Sequence, residues 1–129
     1  MNDPDVVADA SAVLALLQDE EFSEFDPERL VGAAISAVNF SEVLAKLGSG
    51  GLTEGEADAA VGALGLHVIA FDEPQARSAA RLWPAIRRLG LSLADRACLT
   101  LGLRLGKLVV TADRVWAQLD IGIEIVLIR

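Results

Sequence analysis

The chain is poor in the residues that build several common active sites. It has one cysteine, Cys98, in 129 residues. A single thiol excludes an intramolecular disulfide and any multi-cysteine zinc site. One histidine, His67, leaves histidine-rich metal centres and Ser–His–Asp catalysis without material. No apolar run reaches the roughly 18–20 uncharged residues that span a bilayer. The start, MNDPDVV, is acidic and lacks the basic, then apolar, order of a secretory signal. A soluble, cytoplasmic protein is the expectation. Basic residues are also scarce: 11 Lys and Arg stand against 19 Asp and Glu, for a net charge of −8. Such a balance argues against holding nucleic acid by broad phosphate neutralisation. It leaves open an enzyme that recruits phosphate through bound cations, because clustered carboxylates attract divalent ions.

What is present suits one α/β domain over residues 1–129. Hydrophobic residues make up 53% of the chain, enough for a substantial core at this length. No repeat or low-complexity tract interrupts it. Short apolar runs at Asp5–Ala8, Ala33–Ser36, His67–Phe71, Lys107–Thr111 and within Ile121–Ile128 read as strands. Between them lie helical patterns at Ser11–Glu20, Val38–Leu47, Thr53–Leu64 and Ser92–Leu105. Another runs from Asp72 toward Gly90, with a kink or break expected at Pro84. Pro27–Leu30 reads as a helical turn. Thr53 and Glu56 have capping-box spacing. Strands alternating with helices predict a central, mostly parallel sheet covered on both faces, a three-layer α/β/α arrangement. Ligands then bind beyond the carboxyl ends of the strands.

Four acids fall where that edge is expected. Asp9 follows the first strand and Asp113 the fourth. Asp95 lies in the first turn of the Ser92 helix, and Glu42 lies on the helix after the second strand. Each also has a plainer reading. Asp9 can cap the next helix, Asp95 can complete a capping box with Ser92, and Asp113 can cap a turn through Trp116. On a helical wheel Glu42 lies opposite Phe40, Val43, Leu44 and Leu47, in solvent. Converging carboxylates repel unless protonated or bound to cations. Oxygen-only ligands favour Mg²⁺ or Mn²⁺, and the substrate suited to such a site is a phosphodiester.

Residues around these acids read two ways as well. Ser11 and Thr111 can support Asp9, or serve a helix start and a strand end. Arg96 and Arg114 each follow a candidate aspartate; they can orient a carboxylate, contact phosphate or form surface salt bridges. Arg87 and Arg88, the one strong basic doublet, can meet RNA or an acidic partner, but read first as a solvated helix face. Cys98 reads as a buried thiol, and His67 as a strand residue without a catalytic part. Trp83 and Trp116 read as core or interface anchors rather than as base-stacking platforms.

The segments VVADASAVLALL, NFSEVLAKL, LSLADRACLTLG and VVTADRVWAQL resemble the four acidic motifs of PIN-domain proteins, most of all the VapC-type toxins of bacterial toxin–antitoxin pairs. They occur in the family's order from residue 6 to 119. The resemblance implies the three-layer fold and an endoribonuclease dependent on Mg²⁺ or Mn²⁺. It implies Asp9, Glu42, Asp95 and Asp113 as the metal-site and catalytic acids, with RNA hydrolysed by metal-activated water to 5′-phosphate and 3′-hydroxyl ends. It also implies a homodimer and a cognate antitoxin reaching the active-site groove. Some relatives carry a further acid just after the fourth motif; here Val115, Trp116 and Ala117 stand there. Two other classes fit the sequence less well. A phosphoacceptor receiver domain needs a lysine just past its last strand, but Lys107 precedes its strand and the chain's fifth strand ends at Arg129. A catalytically idle interaction module of the same fold would not require all four acids.

Overall fold

A computed structural model describes residues 3–129; Met1 and Asn2, which begin the acidic N-terminal run, lie outside the described residues. Five short strands form one parallel sheet: β1 (Val6–Ala8), β2 (Ala34–Ser36), β3 (His67–Ile69), β4 (Leu108–Thr111) and β5 (Ile125–Leu127). Five helices connect them: α1 (Ala10–Leu17), α2 (Ala37–Ser49), α3 (Glu54–Gly62), α4 (Glu73–Ile86) and α5 (Leu93–Leu105). Period-two alternation in the strands splits the core in two. Val6, Ala8, Ile35 and Val110 point into a cluster with Val13 of α1, Val43 and Leu47 of α2, and Val61 of α3. Val7, Ala34 and Val109 point the other way, onto Ile86 of α4, Leu99 and Leu101 of α5, and Trp116. The sheet is thus covered on both faces, as the alternation of strands and helices predicts.

The strand order is β3-β2-β1-β4-β5. The chain moves outward from β1 to β3, then returns to lay β4 beside β1. The order therefore reverses between β1 and β4, and the crevice outside their carboxyl ends is the natural ligand position of such sheets. Asp9 leaves β1 there, and Ala112 and Asp113 leave β4.

Several element ends differ from the sequence pattern for local reasons. The first helix stops at Leu17 rather than Glu20, because Asp19 takes a left-handed φ of 58°. The third strand stops at Ile69, since the carbonyl of Ala70 accepts a bond from Gln75 Nε2 instead of continuing the ladder. No break occurs at Pro84. The helix continues to Ile86, passes into a 3-10 turn at Arg87–Leu89, and ends where Gly90 adopts φ 67°. The Thr53–Glu56 capping box is formed in both directions. Among the described residues no helix is long and apolar enough to cross a membrane.

Candidate active site

Asp9 stands at the N-cap position of α1, yet its side chain makes no capping bond. Its carboxylate turns across the sheet edge instead. Ser11 Oγ donates to Asp9 Oδ2 at 2.6 Å, and Thr111 Oγ1 donates to the same oxygen at 2.9 Å. Each hydroxyl is itself fixed from behind. The Ala112 N–H donates to Ser11 Oγ at 2.9 Å, and the Asp113 N–H donates to Thr111 Oγ1 at 3.0 Å. Two hydroxyls and two main-chain amides therefore lock one carboxylate oxygen, and Oδ1 is left out of this network. Both Ser11 and Thr111 are supports of Asp9, one from its own helix and one from the neighbouring strand.

Burial dominates the electrostatics of Asp9. The residue is only 5% exposed, and loss of water raises its pKa to about 6. The bonds from Ser11 and Thr111 pull the value down, and the nearby charges of Asp95 and Glu42 push it up. The thiol of Cys98, wholly buried as its sequence pattern predicts, reports the same neighbourhood. Its pKa is pushed up by burial first, then by Asp9, Asp95 and Glu42. Asp9, Glu42 and Asp95 thus share one locality on three different elements.

Asp95 and Glu42 are each half-buried and each held by a bond of its own. Asp95 Oδ2 accepts the Ser92 N–H at 2.9 Å while Ser92 Oγ accepts the Asp95 N–H at 3.1 Å. The capping box is real and leaves Asp95 beside Asp9 as well. Glu42 Oε1 accepts from Asn39 Nδ2 at 3.1 Å, and the same amide donates to the Ala94 carbonyl at 3.0 Å. This corrects the helical wheel: the start of α5 packs against α2, so the side opposite Phe40 and Val43 borders another helix rather than open solvent. Asn39, fully buried, is the residue that sequence reasoning missed. Its signal was the i, i+3 spacing to Glu42, which brings the two side chains together on one helix face.

Asp113 behaves differently. It is exposed, caps the 3-10 turn Arg114–Gln118 through the Val115 N–H at 3.0 Å, and is not among the charges that shift Asp9 or Cys98. Among the described residues, the two arginines next to candidate aspartates bind no carboxylate side chain. Arg114 Nη1 donates to the Arg129 carbonyl, and the Arg96 guanidinium lies 5.3 Å over the Trp83 ring. Trp116 is a core residue as expected, but Trp83 is 46% exposed.

Among the described residues no three His, Cys, Asp or Glu side chains are arranged to enclose a metal ion directly. The donors nevertheless fit a hard cation held by one or two carboxylates and water, the usual manner of Mg²⁺. The fit rests on oxygen-only ligands, on the unlocked Oδ1 of a charge-strained Asp9, and on the buried, unpartnered Oδ1 of Asn39 beside Glu42.

The family model of the PIN domain matches residues 6–122. The chain belongs to the PIN-domain family. No curated protein sequence matches the chain significantly. Solved structures match this PIN domain over nearly their whole length at low identity. VapBC from Salmonella typhimurium, bound to DNA, gives a TM-score of 0.71 at 19% identity, covering 96% of this chain and 98% of that one. VapBC2 from Rickettsia felis, bound to a DNA fragment from their promoter, gives 0.71 at 12% identity, with 95% and 97% covered. VapBC-5 from Mycobacterium tuberculosis, a member of a family of toxin–antitoxin systems, gives 0.62 at 20% identity, with 98% and 99% covered. At such identities the likeness establishes the fold. The receiver-domain alternative is set aside by the family match.

Proposed function

We propose that this PIN domain is a metal-dependent endoribonuclease that serves as the toxin of a toxin–antitoxin pair. One observation carries the reading. At the sheet's switch point, a buried aspartate gives up its helix-capping bond, is locked through one oxygen by Ser11 and Thr111, and keeps the other oxygen free. A purely structural Asp9 would cap α1. The likeness of the fold to VapBC complexes supports the toxin part and an antitoxin partner, and the homodimer belongs to the same proposal.

A bound Mg²⁺ or Mn²⁺ supplies a lowered pKa for a water and charge to offset the leaving oxygen. The chain's residues hold and orient. Asp9 offers Oδ1 in a fixed direction because Oδ2 cannot turn away. Its pKa of about 6 leaves it mostly ionised at neutral pH and ready to accept a cation. Asn39 fixes Glu42, and the Ser92 N–H fixes Asp95, so both acids reach the locality from rigid helix positions. Asp113 presents its carboxylate from the outer rim of the same edge. RNA phosphodiester hydrolysis is the chemistry such a set serves.

The test uses purified protein freed of any antitoxin, incubated with total RNA and Mg²⁺ or Mn²⁺, with and without EDTA. Cleavage that EDTA abolishes, and that Asp9→Asn abolishes in a folded protein, is the expected result. No metal-dependent cleavage on a broad RNA panel overturns the enzyme reading. Cleavage unchanged by Asp9→Asn overturns the site. The alternative of an idle interaction module has one observation in its favour, the lack of three acids closed around a metal position among the described residues. The same experiment separates the two.

A further inference from the structure

The chain's charge is divided very unevenly. Residues 73–105, which form α4, the 3-10 turn and α5, hold six arginines and two acids; the rest of the chain holds five basic residues and seventeen acids. Helical spacing then sorts these arginines into stripes. Arg96, Thr100 and Arg104 recur at i, i+4 and i+8 on α5, and Arg77 and Arg81 at i, i+4 on α4. Two adjoining hollows between the helices share Ser78, Arg81 and Arg104 as lining. Thr100 lines one of them; it is 1% exposed, and its buried hydroxyl has no hydrogen-bond partner among the described residues. From Arg104 to Arg96 the stripe runs about 12 Å along α5, and its upper end is the residue next to Asp95. There Arg96 lies against Trp83, a tryptophan left 46% exposed.

We propose that the α4–α5 groove is the track along which single-stranded RNA reaches the Asp9 site. Arg81 and Arg104 take backbone phosphates over a floor formed in part by Thr100, and Trp83, braced by Arg96, stacks a base near the point of cleavage. The inference rests on the reading of the site as a ribonuclease. Charge complementarity identifies the occupant as a polyanion, since this is the one strongly basic segment of an acidic chain. The exposed aromatic beside an arginine favours nucleic acid over an acidic peptide, because cationic grooves with aromatic platforms suit unpaired bases. The net charge of −8 argued against broad phosphate neutralisation; a narrow stripe is compatible with it.

The test measures binding without turnover. Asp9→Asn protein is titrated into a short fluorescent single-stranded RNA at several salt concentrations, followed by anisotropy. Adding Arg81→Ala and Arg104→Ala should weaken binding and reduce the slope of log affinity against log salt by about 1.4, at about 0.7 per lost phosphate contact on a single strand. Adding Trp83→Ala should weaken binding roughly tenfold and leave the slope unchanged. Arg29→Ala with Lys46→Ala, outside the groove, should change neither. Equal effects from the outside pair, or none from the groove variants, overturn the track while leaving the nuclease reading intact. RNA that binds through the groove yet is never cleaved by wild-type protein with metal overturns the nuclease reading instead. Binding of a short polyglutamate peptide in the groove, with RNA affinity insensitive to the groove variants, assigns the surface to an acidic partner and also overturns the proposal.

Discussion

An aspartate between a strand and a helix ordinarily spends its side chain on the first free amides of that helix. Asp9 does not, and the consequence is measurable. Its carboxyl has a raised pKa, about 6 against an ordinary 3.8, because burial disfavours the charge. The shift stabilises the protonated form, so the contribution to stability is full below the unfolded value near 3.8 and is lost as pH rises through 6. In EDTA, wild-type protein should therefore lose stability relative to Asp9→Asn as pH is raised from 4 to 8. The gap at pH 8 should be on the order of 3 kcal/mol, from the size of the shift. Urea denaturation of both proteins across that range checks it. The amide keeps an acceptor for Ser11 and Thr111 while removing the buried charge. A wild type that stays equal to or more stable than Asp9→Asn at pH 8 would show that the carboxylate is not strained.

At the scale of elements, α5 does two jobs along its length. Its N-terminus carries Asp95 to the site through the Ser92 capping box, and its middle presses on the sheet. Gly102 is the point of closest approach: a Cβ there would overlap the side chains of Ile123 and Val109, with the Lys107 carbonyl also near. Gly102→Ala should destabilise the protein by about 1–3 kcal/mol, the usual cost of overpacking, despite alanine's better helix propensity. Thermal melts read this directly. A neutral or stabilising outcome would mean that the helix can lift from the sheet. Lifting would also move Asp95, so in that case RNA cleavage would fall although stability did not.

For the whole molecule, the fold and the proposed cation are separable. Both faces of the sheet bury continuous apolar clusters, and nothing in them depends on the acids. EDTA should therefore abolish RNA cleavage while leaving the far-UV circular dichroism spectrum unchanged. A spectrum that collapses with EDTA would make the cation a structural element of the fold. The charge division of the molecule acts at the same scale, since an acidic body with one basic helical face orients a polyanion before contact.

The order of strands and helices, the buried Cys98 and three capping residues were legible in the sequence, because hydrophobic period and capping chemistry are local properties. The family motifs also placed four acids in sequence order. Only the tertiary structure decided what each acid is spared from doing. Asp9 is freed from its cap because Thr111, 102 residues away, sits beside it on the adjacent strand. Glu42 is half-buried because Asn39 ties its helix to the start of α5 at Ala94. Asp113 keeps the capping role that the other reading assigned it. The alignment of arginines on α4 and α5 was likewise split between two segments until packing laid the helices side by side. Period and capping act within a few residues, whereas burial, charge coupling and shared grooves depend on which elements the sheet order makes neighbours.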